Sequence, residues 1–324
     1  MRAILVSEFG GPEVLKYVEL ADPVPGPHEV LVKLEVIDVT QLDASICSGE
    51  GLQPQTLPFI PGRAGAGVII SAGSNVDSTM VGSRVVVRTH GGCYAEKVCC
   101  KISEITYIPD SLDFLEATAL IHDGVDAALL VEEIGVYEDD WVLVIGASSG
   151  TGYMLARAAM RAGGNVVGVG TGRAQLSFML EQQIEHVIDH NDSNWFERAK
   201  ALAGENEFTV VMDGVGGTLG TTAIDLIRRG GCYLNFSHNS APKDTSQFVE
   251  WDGYVLHHYP PYNDLIKTCS IRTCMDTLAL DKWTQMYISI TGSYLLEQAS
   301  SAHQQLGSED MVGKLLILVE PQPA

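Results

Sequence analysis

Basic residues are scarce in this chain: 20 Lys and Arg stand against 41 Asp and Glu in 324 residues, a formal charge of -21. Such a field repels phosphate backbones and anionic lipid surfaces. It excludes nucleic acid and the membrane as main partners, and it leaves any anionic cofactor to local dipoles and a few placed cations. Apolar runs of the roughly 20 residues that span a bilayer are also missing, since the stretch from Trp141 to Gly146 soon meets serines and glycines. Met1 to Glu8 lack the charged start, long apolar run and small-residue cleavage site of a secretory signal. The seven cysteines are irregularly spaced and odd in number, which suits a reducing compartment better than a disulfide framework. A soluble, cytoplasmic protein is the expectation. With 46% hydrophobic and 19% charged residues the chain reads as a packed globular enzyme, and its length suggests about two domains.

Up to Leu115 the chain is rich in β-branched residues punctuated by Pro and Gly. Ala3 to Ser7, Glu29 to Val36, Gly67 to Ser71, Arg84 to Arg88 and Tyr94 to Val98 are expected as short strands. Beyond Leu115 strand and helix alternate. The strands are Trp141 to Ile145, Asn165 to Val169, His186 to Ile188, Thr209 to Asp213 and Cys232 to Asn235. The helices are Tyr153 to Ala162, Ala174 to Gln183, Trp195 to Ala203 and Leu219 to Arg228. Four crossover helices imply a doubly wound parallel sheet. A helix over Glu297 to Leu306 and a closing strand over Lys314 to Val319 end the pattern, and Pro321 to Ala324 reads as a loose tail.

The strand at Trp141 runs into Gly146-Ala147-Ser148-Ser149-Gly150-Thr151-Gly152 and then into a helix with Met154, Leu155, Ala158, Ala159 and Ala162 on one face. A glycine-rich turn in that setting lets backbone amides approach a diphosphate, and the helix N-terminus adds a partial positive charge. Strand before, helix after and repeated βα units favour a dinucleotide site over a plain tight turn. The next strand ends in Gly168-Val169-Gly170-Thr171-Gly172-Arg173, without the acid that would accept a ribose 2′-hydroxyl. Arg173 can pair instead with a 2′-phosphate through its planar fork, which favours NADPH over NADH; its alternative is a solvated first-turn residue. Asp213-Gly214-Val215 and Phe236-Ser237-His238 close two further strands at the edge where such sheets bind ligands. Asp213 reads equally as a loop-capping acid or a ribose or nicotinamide contact, and His238 equally as a loop histidine or a contact.

In order along nearly the whole chain, several segments resemble the quinone oxidoreductase and zeta-crystallin branch of the medium-chain dehydrogenase/reductase superfamily. They are Glu8 to Leu15, Ile60-Pro61-Gly62 with Gly65-Ala66-Gly67, Val81 to Val85, Gly91 to Glu96, Ile108-Pro109-Asp110, the glycine turn, Asp213 to Gly217 and Gly313-Lys314. The resemblance implies an α/β chain of two parts: a GroES-like, β-rich catalytic domain from residues 1–118 and 264–324, and a Rossmann NADP-binding domain over 119–263. Where the alcohol dehydrogenase branch has zinc ligands, this chain has Thr40 and the pair Arg63-Ala64, and the four-cysteine lobe of the structural zinc site is missing. Neither replacement suits zinc, so no metal is expected. Hydride delivery from NADPH to a quinone or enone is the chemistry that remains.

Several of the family's positions are altered: Thr40 and Gln41 replace an Asn and a Pro, Ser45 and Cys47 an aromatic and an Arg, and Gly124 or Val125 stands where a Thr helps hold the nicotinamide. Thr40 and Asp43 still keep the loop polar enough to touch ribose or substrate. His122-Asp123 falls at the domain junction, where a His beside a carboxylate is either a proton donor or structural. The aromatic stretch with Trp251, Tyr254, Tyr259 and Tyr262 reads as the edge strand of a homodimer or as a reshaped substrate cleft. Two functions fit these residues: an NADPH-dependent quinone or enone reductase, including one tailored to a single biosynthetic intermediate, or an NADPH-binding relative without reductase activity, a sensor or a non-redox catalyst.

Overall fold

The computed structural model describes residues 1–50, 55–236, 255–258 and 288–320. Along the chain the strands are β1 (Arg2–Leu5), β2 (Lys16–Glu19), β3 (Glu29–Asp38), β4 (Ala64–Ala72), β5 (Arg84–Arg88), β6 (Lys97–Lys101), β7 (Ile105–Tyr107), β8 (Trp141–Ile145), β9 (Asn165–Gly170), β10 (His186–Asp189), β11 (Phe208–Asp213), β12 (Ile227–Asn235), β13 (Val255–His258), β14 (Ile290–Leu295) and β15 (Lys314–Leu318). The helices are α1 (Gln41–Ser48), α2 (Phe114–Ala119), α3 (Val125–Ile134), α4 (Gly150–Arg161), α5 (Gly172–Glu181), α6 (Trp195–Ala203), α7 (Gly217–Ile224) and α8 (Ala299–Leu306), with one π-helical segment, Leu120–Gly124, between α2 and α3.

Among the described residues the strands form two large sheets. One has the order β14-β15-β3-β4-β5-β7 with β6 on β3, and is antiparallel except for β14 against β15. The other, β10-β9-β8-β11-β12-β13, is parallel throughout. Its order reverses between β8 and β11, and ligands bind such sheets outside the carboxyl ends of the strands at that reversal. Val142, Leu143, Val144 and Ile145 of β8 are all buried, as expected of a strand covered on both faces. The C-terminal segment returns to the first sheet, pairing Leu316 with Asp38 and Leu318 with Val36. Ala64, Ala66 and Val86 of that sheet share one core with Ile121, Val125, Val144 and Met154, so the helices from α2 to α4 join the two sheets through apolar contact.

Most expected elements are present, with shifts that have local causes. Tyr94 lies outside the strand expected at Tyr94 to Val98; Ala95 only bridges to Ala3, and β6 begins at Lys97. The helix expected to reach Arg228 ends at Ile224, because Ile227 pairs with Phe208 and begins β12. Tertiary pairing overrides helix propensity there. Of the aromatic segment, Val255–His258 forms the edge strand β13, parallel to β12. Trp251, Tyr254, Tyr259, Tyr262 and the boundary expected at 263–264 lie outside the described residues.

Candidate active site

The turn after β8 is built by backbone geometry. Gly146 has a φ of +79°, open to glycine and strained for other residues. Ser149 caps α4: its Oγ donates to the Gly146 carbonyl at 2.8 Å and accepts from the Gly152 amide at 3.2 Å. A Cβ on Gly152 would lie 2.1 Å from the Gly146 oxygen, so the helix packs on the turn only because that side chain is missing. The first amides of α4 have no intrahelical acceptors, which suits an anion. Ser149, Gly150 and Thr151 line a cleft of about 390 Å³, within the usual size of small-molecule sites, and so do Gly214, Val215 and Phe236 from the ends of β11 and β12. On the opposite wall are Thr40, Gln41, Leu42 and Arg63 of the first domain.

Thr40 caps α1 in a reciprocal box: its Oγ1 accepts from the Asp43 amide at 3.1 Å and donates to Asp43 Oδ2 at 2.6 Å. Asp43 itself is buried beneath the cleft wall. His122 and Asp123 both line the cleft, but they do not pair with one another. His122 Nδ1 lies 2.6 Å from Asp38 Oδ2 at the end of β3, whereas Asp123 Oδ1 accepts from Thr151 Oγ1 at 2.6 Å. The His-carboxylate couple expected from adjacency is therefore replaced by His122–Asp38. Burial, with the Arg88 guanidinium nearby, pushes His122 down to about 4. Burial alone would raise Asp38, yet the Lys314 ammonium and His122 hold its carboxyl below the ordinary value. A neutral imidazole thus donates Nδ1–H to a carboxylate. Lys314 Nζ bridges Asp38 Oδ1 at 2.6 Å and Asp123 Oδ2 at 2.9 Å.

Asp213 caps its own loop. Its fully buried carboxylate accepts from the Val215 amide at 2.9 Å, the Gly216 amide at 2.8 Å and Tyr233 Oη at 2.6 Å. It shapes the loop that carries Gly214 and Val215 and does not line the cleft. Gly146, Ala147, Ser148 and Gly152 likewise support the turn from behind; the Ser148 carbonyl accepts from the Gly313 amide at 2.7 Å. At the end of β9, Gly170 and Thr171 lead into α5, Gly172 has a φ of +68°, and Arg173 is exposed in the first helical turn. Ser237 and His238 lie outside the described residues. Asp38 and the pairing role of Lys314 were not anticipated from sequence; a carboxylate in the apolar run Val36-Ile37-Asp38-Val39 was the available signal, because a buried charge needs a partner.

Among the described residues no group of three or more His, Cys, Asp or Glu could hold a metal ion. Asp38 and Asp123 already share the Lys314 ammonium, which takes the place a cation would need. This donor set does not fit zinc. No helix among the described residues is long and apolar enough to cross a membrane.

Two family models match the chain, the alcohol dehydrogenase GroES-like domain over residues 26–110 and the zinc-binding dehydrogenase over 150–257. Quinone oxidoreductase of Rattus norvegicus is 31% identical over 334 residues, covering 98% of both chains. Quinone oxidoreductase of Sus scrofa is 27% identical over 328 residues, also covering 98% of each. A mycobacterial protein solved in complex with NADPH superimposes with a TM-score of 0.85 at 26% identity, over 98% of this chain and 100% of its own. A GroES-like sheet, a parallel sheet reversing at a glycine turn, and relatives matching end to end place the chain in the quinone oxidoreductase branch of the medium-chain dehydrogenase/reductase superfamily.

Proposed function

We propose that this chain is an NADPH-dependent reductase that delivers hydride to a conjugated, electron-poor acceptor, a quinone or enone, without zinc. The observation that carries the reading is the cleft itself: the glycine turn, the β11 loop and Thr40 line one cavity, and the two carboxylates that line it are already paired, Asp123 with the Lys314 ammonium and Asp126 with the Arg88 guanidinium. When bound there, NADPH supplies two electrons and a hydrogen as hydride. The amides of Gly150 and Thr151 and the N-terminus of α4 suit the diphosphate, and Arg173 suits the 2′-phosphate. Gly214, Val215 and Phe236 give the apolar wall on which a flat ring stacks. A conjugated acceptor spreads the charge that hydride transfer creates, so polar groups rather than a Lewis acid suffice to stabilise it. The NADPH complex of the mycobacterial neighbour and the names of the rat and pig relatives support the cofactor and the acceptor class.

Cys47, Cys93, Cys99 and Cys100 carry thiols outside any disulfide, which agrees with a cytoplasmic setting. Among the described residues β13 pairs only with β12, and we infer that its other edge joins a second copy in a homodimer. Absorbance decay of NADPH with a panel of naphthoquinones and enones tests the activity. Turnover supports the reading; tight NADPH binding without turnover across the panel favours a non-reducing binder.

A further inference from the structure

Beneath Thr40 the fold stores one acid group in an unusual setting. The same reciprocal cap occurs at the start of α2 between Asp113 and Glu116, where both carboxylates meet solvent. At α1 the carboxylate is inside. Asp43 is 1% exposed, and its Oδ1 is buried with no hydrogen-bond partner, while Oδ2 holds the Thr40 amide at 3.2 Å and the Thr40 hydroxyl at 2.6 Å. An ionised Asp43 would leave a charged oxygen unpaired in an apolar setting, so burial favours the neutral acid more than at an exposed carboxyl.

The charge of Asp43 also sets the direction of the Thr40 hydroxyl. Facing a carboxylate, its single hydrogen points down to Oδ2. Facing the acid, the hydroxyl accepts from Asp43 and is released to donate upward into the cleft that Thr40 lines. Asp126 also lines the cleft and burial raises it to about 7, but its Oδ1 accepts from Arg88 Nη2 at 3.2 Å, so its contact is with the guanidinium and not with the Thr40 hydroxyl. The other neighbouring groups cannot do the same. Burial pushes the thiols of Cys47 and Cys93 up to about 12 and Tyr94 well above its ordinary value, while Lys314 helps keep Asp38 ionised. Burial raises Asp43 itself to about 6, with Asp38 adding to the rise and Thr40 and Arg63 opposing it.

We propose that Thr40 gives the proton that completes reduction of the acceptor, and that Asp43, in its protonated form, replaces it through the 2.6 Å contact. This rests on the reductase reading above. Hydride from NADPH forms the new bond to the acceptor and leaves the nicotinamide oxidised. The acceptor oxygen gains the negative charge and takes the Thr40 hydrogen; the Asp43 hydrogen passes to Thr40 Oγ1, and Asp43 becomes a carboxylate. Solvent returns the proton to Asp43 after product leaves. Thr40 is then the catalytic residue, and Asp43 acts through it.

Infrared titration of the full chain without cofactor gives the first readout. Wild type is expected to show a carboxylic-acid carbonyl band that persists above the ordinary carboxylate range and is missing from Asp43→Asn, a change that keeps a capping acceptor. Superimposable spectra would overturn the proposal. Steady-state reduction of a naphthoquinone with NADPH gives the second. Wild-type kcat is expected to fall as pH rises through the Asp43 titration. Thr40→Val and Asp43→Asn should lose about a hundredfold in kcat with flat profiles and little change in KM, and Thr40→Ser should rescue both rate and profile. A well-folded Thr40→Val with wild-type kcat overturns the relay alone, whereas a wild type that never oxidises NADPH overturns the reductase reading and the relay with it.

Discussion

Lys314 Nζ lies 2.9 Å from Asp123 Oδ2, so the first residue of the returning strand β15 is fastened to the π-helical segment beside the glycine turn. The contact is buried on both sides, and Asp38 completes it from β3. Burial alone would discharge the ammonium, but the Asp123 and Asp38 carboxylates more than offset this and raise it above its ordinary value. Asp123 passes the constraint on to Thr151 at the start of α4. Removing one partner leaves uncompensated charge indoors, so Lys314→Met is expected to cost about 3–5 kcal/mol in urea unfolding. Adding Asp38→Asn to that variant should recover part of the loss, and strictly additive losses would argue against the coupling.

Arg173 is exposed, and among the described residues no hydrogen bond or ion pair engages it. If it reads the 2′-phosphate, Arg173→Ala weakens NADPH by about 1.5–3 kcal/mol and leaves NADH little changed. Calorimetric titration with both nucleotides decides the matter, since equal losses would remove Arg173 from that role.

Gly152 has no room for a side chain against the Gly146 carbonyl, 2.1 Å from where a Cβ would sit. Gly152→Ala therefore has to displace the turn, at about 1–3 kcal/mol in stability together with weaker NADPH binding. Gly307 at the end of α8 is the comparison: its nearest neighbour to a Cβ is 3.7 Å away and its φ is -83°. Gly307→Ala should stay within about 0.5 kcal/mol of wild type. Equal thermal shifts for the two variants would contradict this account of the turn.

His303 is buried with its Nε2 2.8 Å from Tyr94 Oη, and burial pushes its imidazole down to about 4 from 6.5. Between those values the unfolded chain binds the proton and the folded one does not. Its contribution is full above pH 6.5 and is lost as pH falls toward 4, at about 1.4 kcal/mol per pH unit. Replacing it in His303→Gln should flatten the decline in stability over that window by one proton's worth. Parallel stability curves for wild type and variant would show that His303 titrates normally.

Local chemistry made much of the fold legible. β8 and α6 fall where a short apolar run and a helical pattern put them, and the glycine turn follows β8 and opens α4 as its residues suggested. The buried charge bridge was not legible, because Asp38 and Lys314 sit near opposite ends of the chain and meet only when β15 pairs with β3. Adjacency also misled: His122 and Asp123 are neighbours in sequence, but the π-helical segment sends them to different partners. Asp213 was ambiguous for a related reason. Its place at a strand end fits both a ligand contact and a loop cap, and its bonds to Val215, Gly216 and Tyr233 depend on the folded loop, which the sequence does not display.

Direct hydride transfer without a metal is tested most directly by isotope labelling. Protein treated with a strong chelator, shown by elemental analysis to be free of zinc, would be given NADPH deuterated at the transferring position together with a β-substituted enone. Deuterium at the β-carbon of the product, at undiminished rate, is the predicted result. Loss of activity restored by added zinc, or product carrying only solvent hydrogen at that carbon, would contradict it.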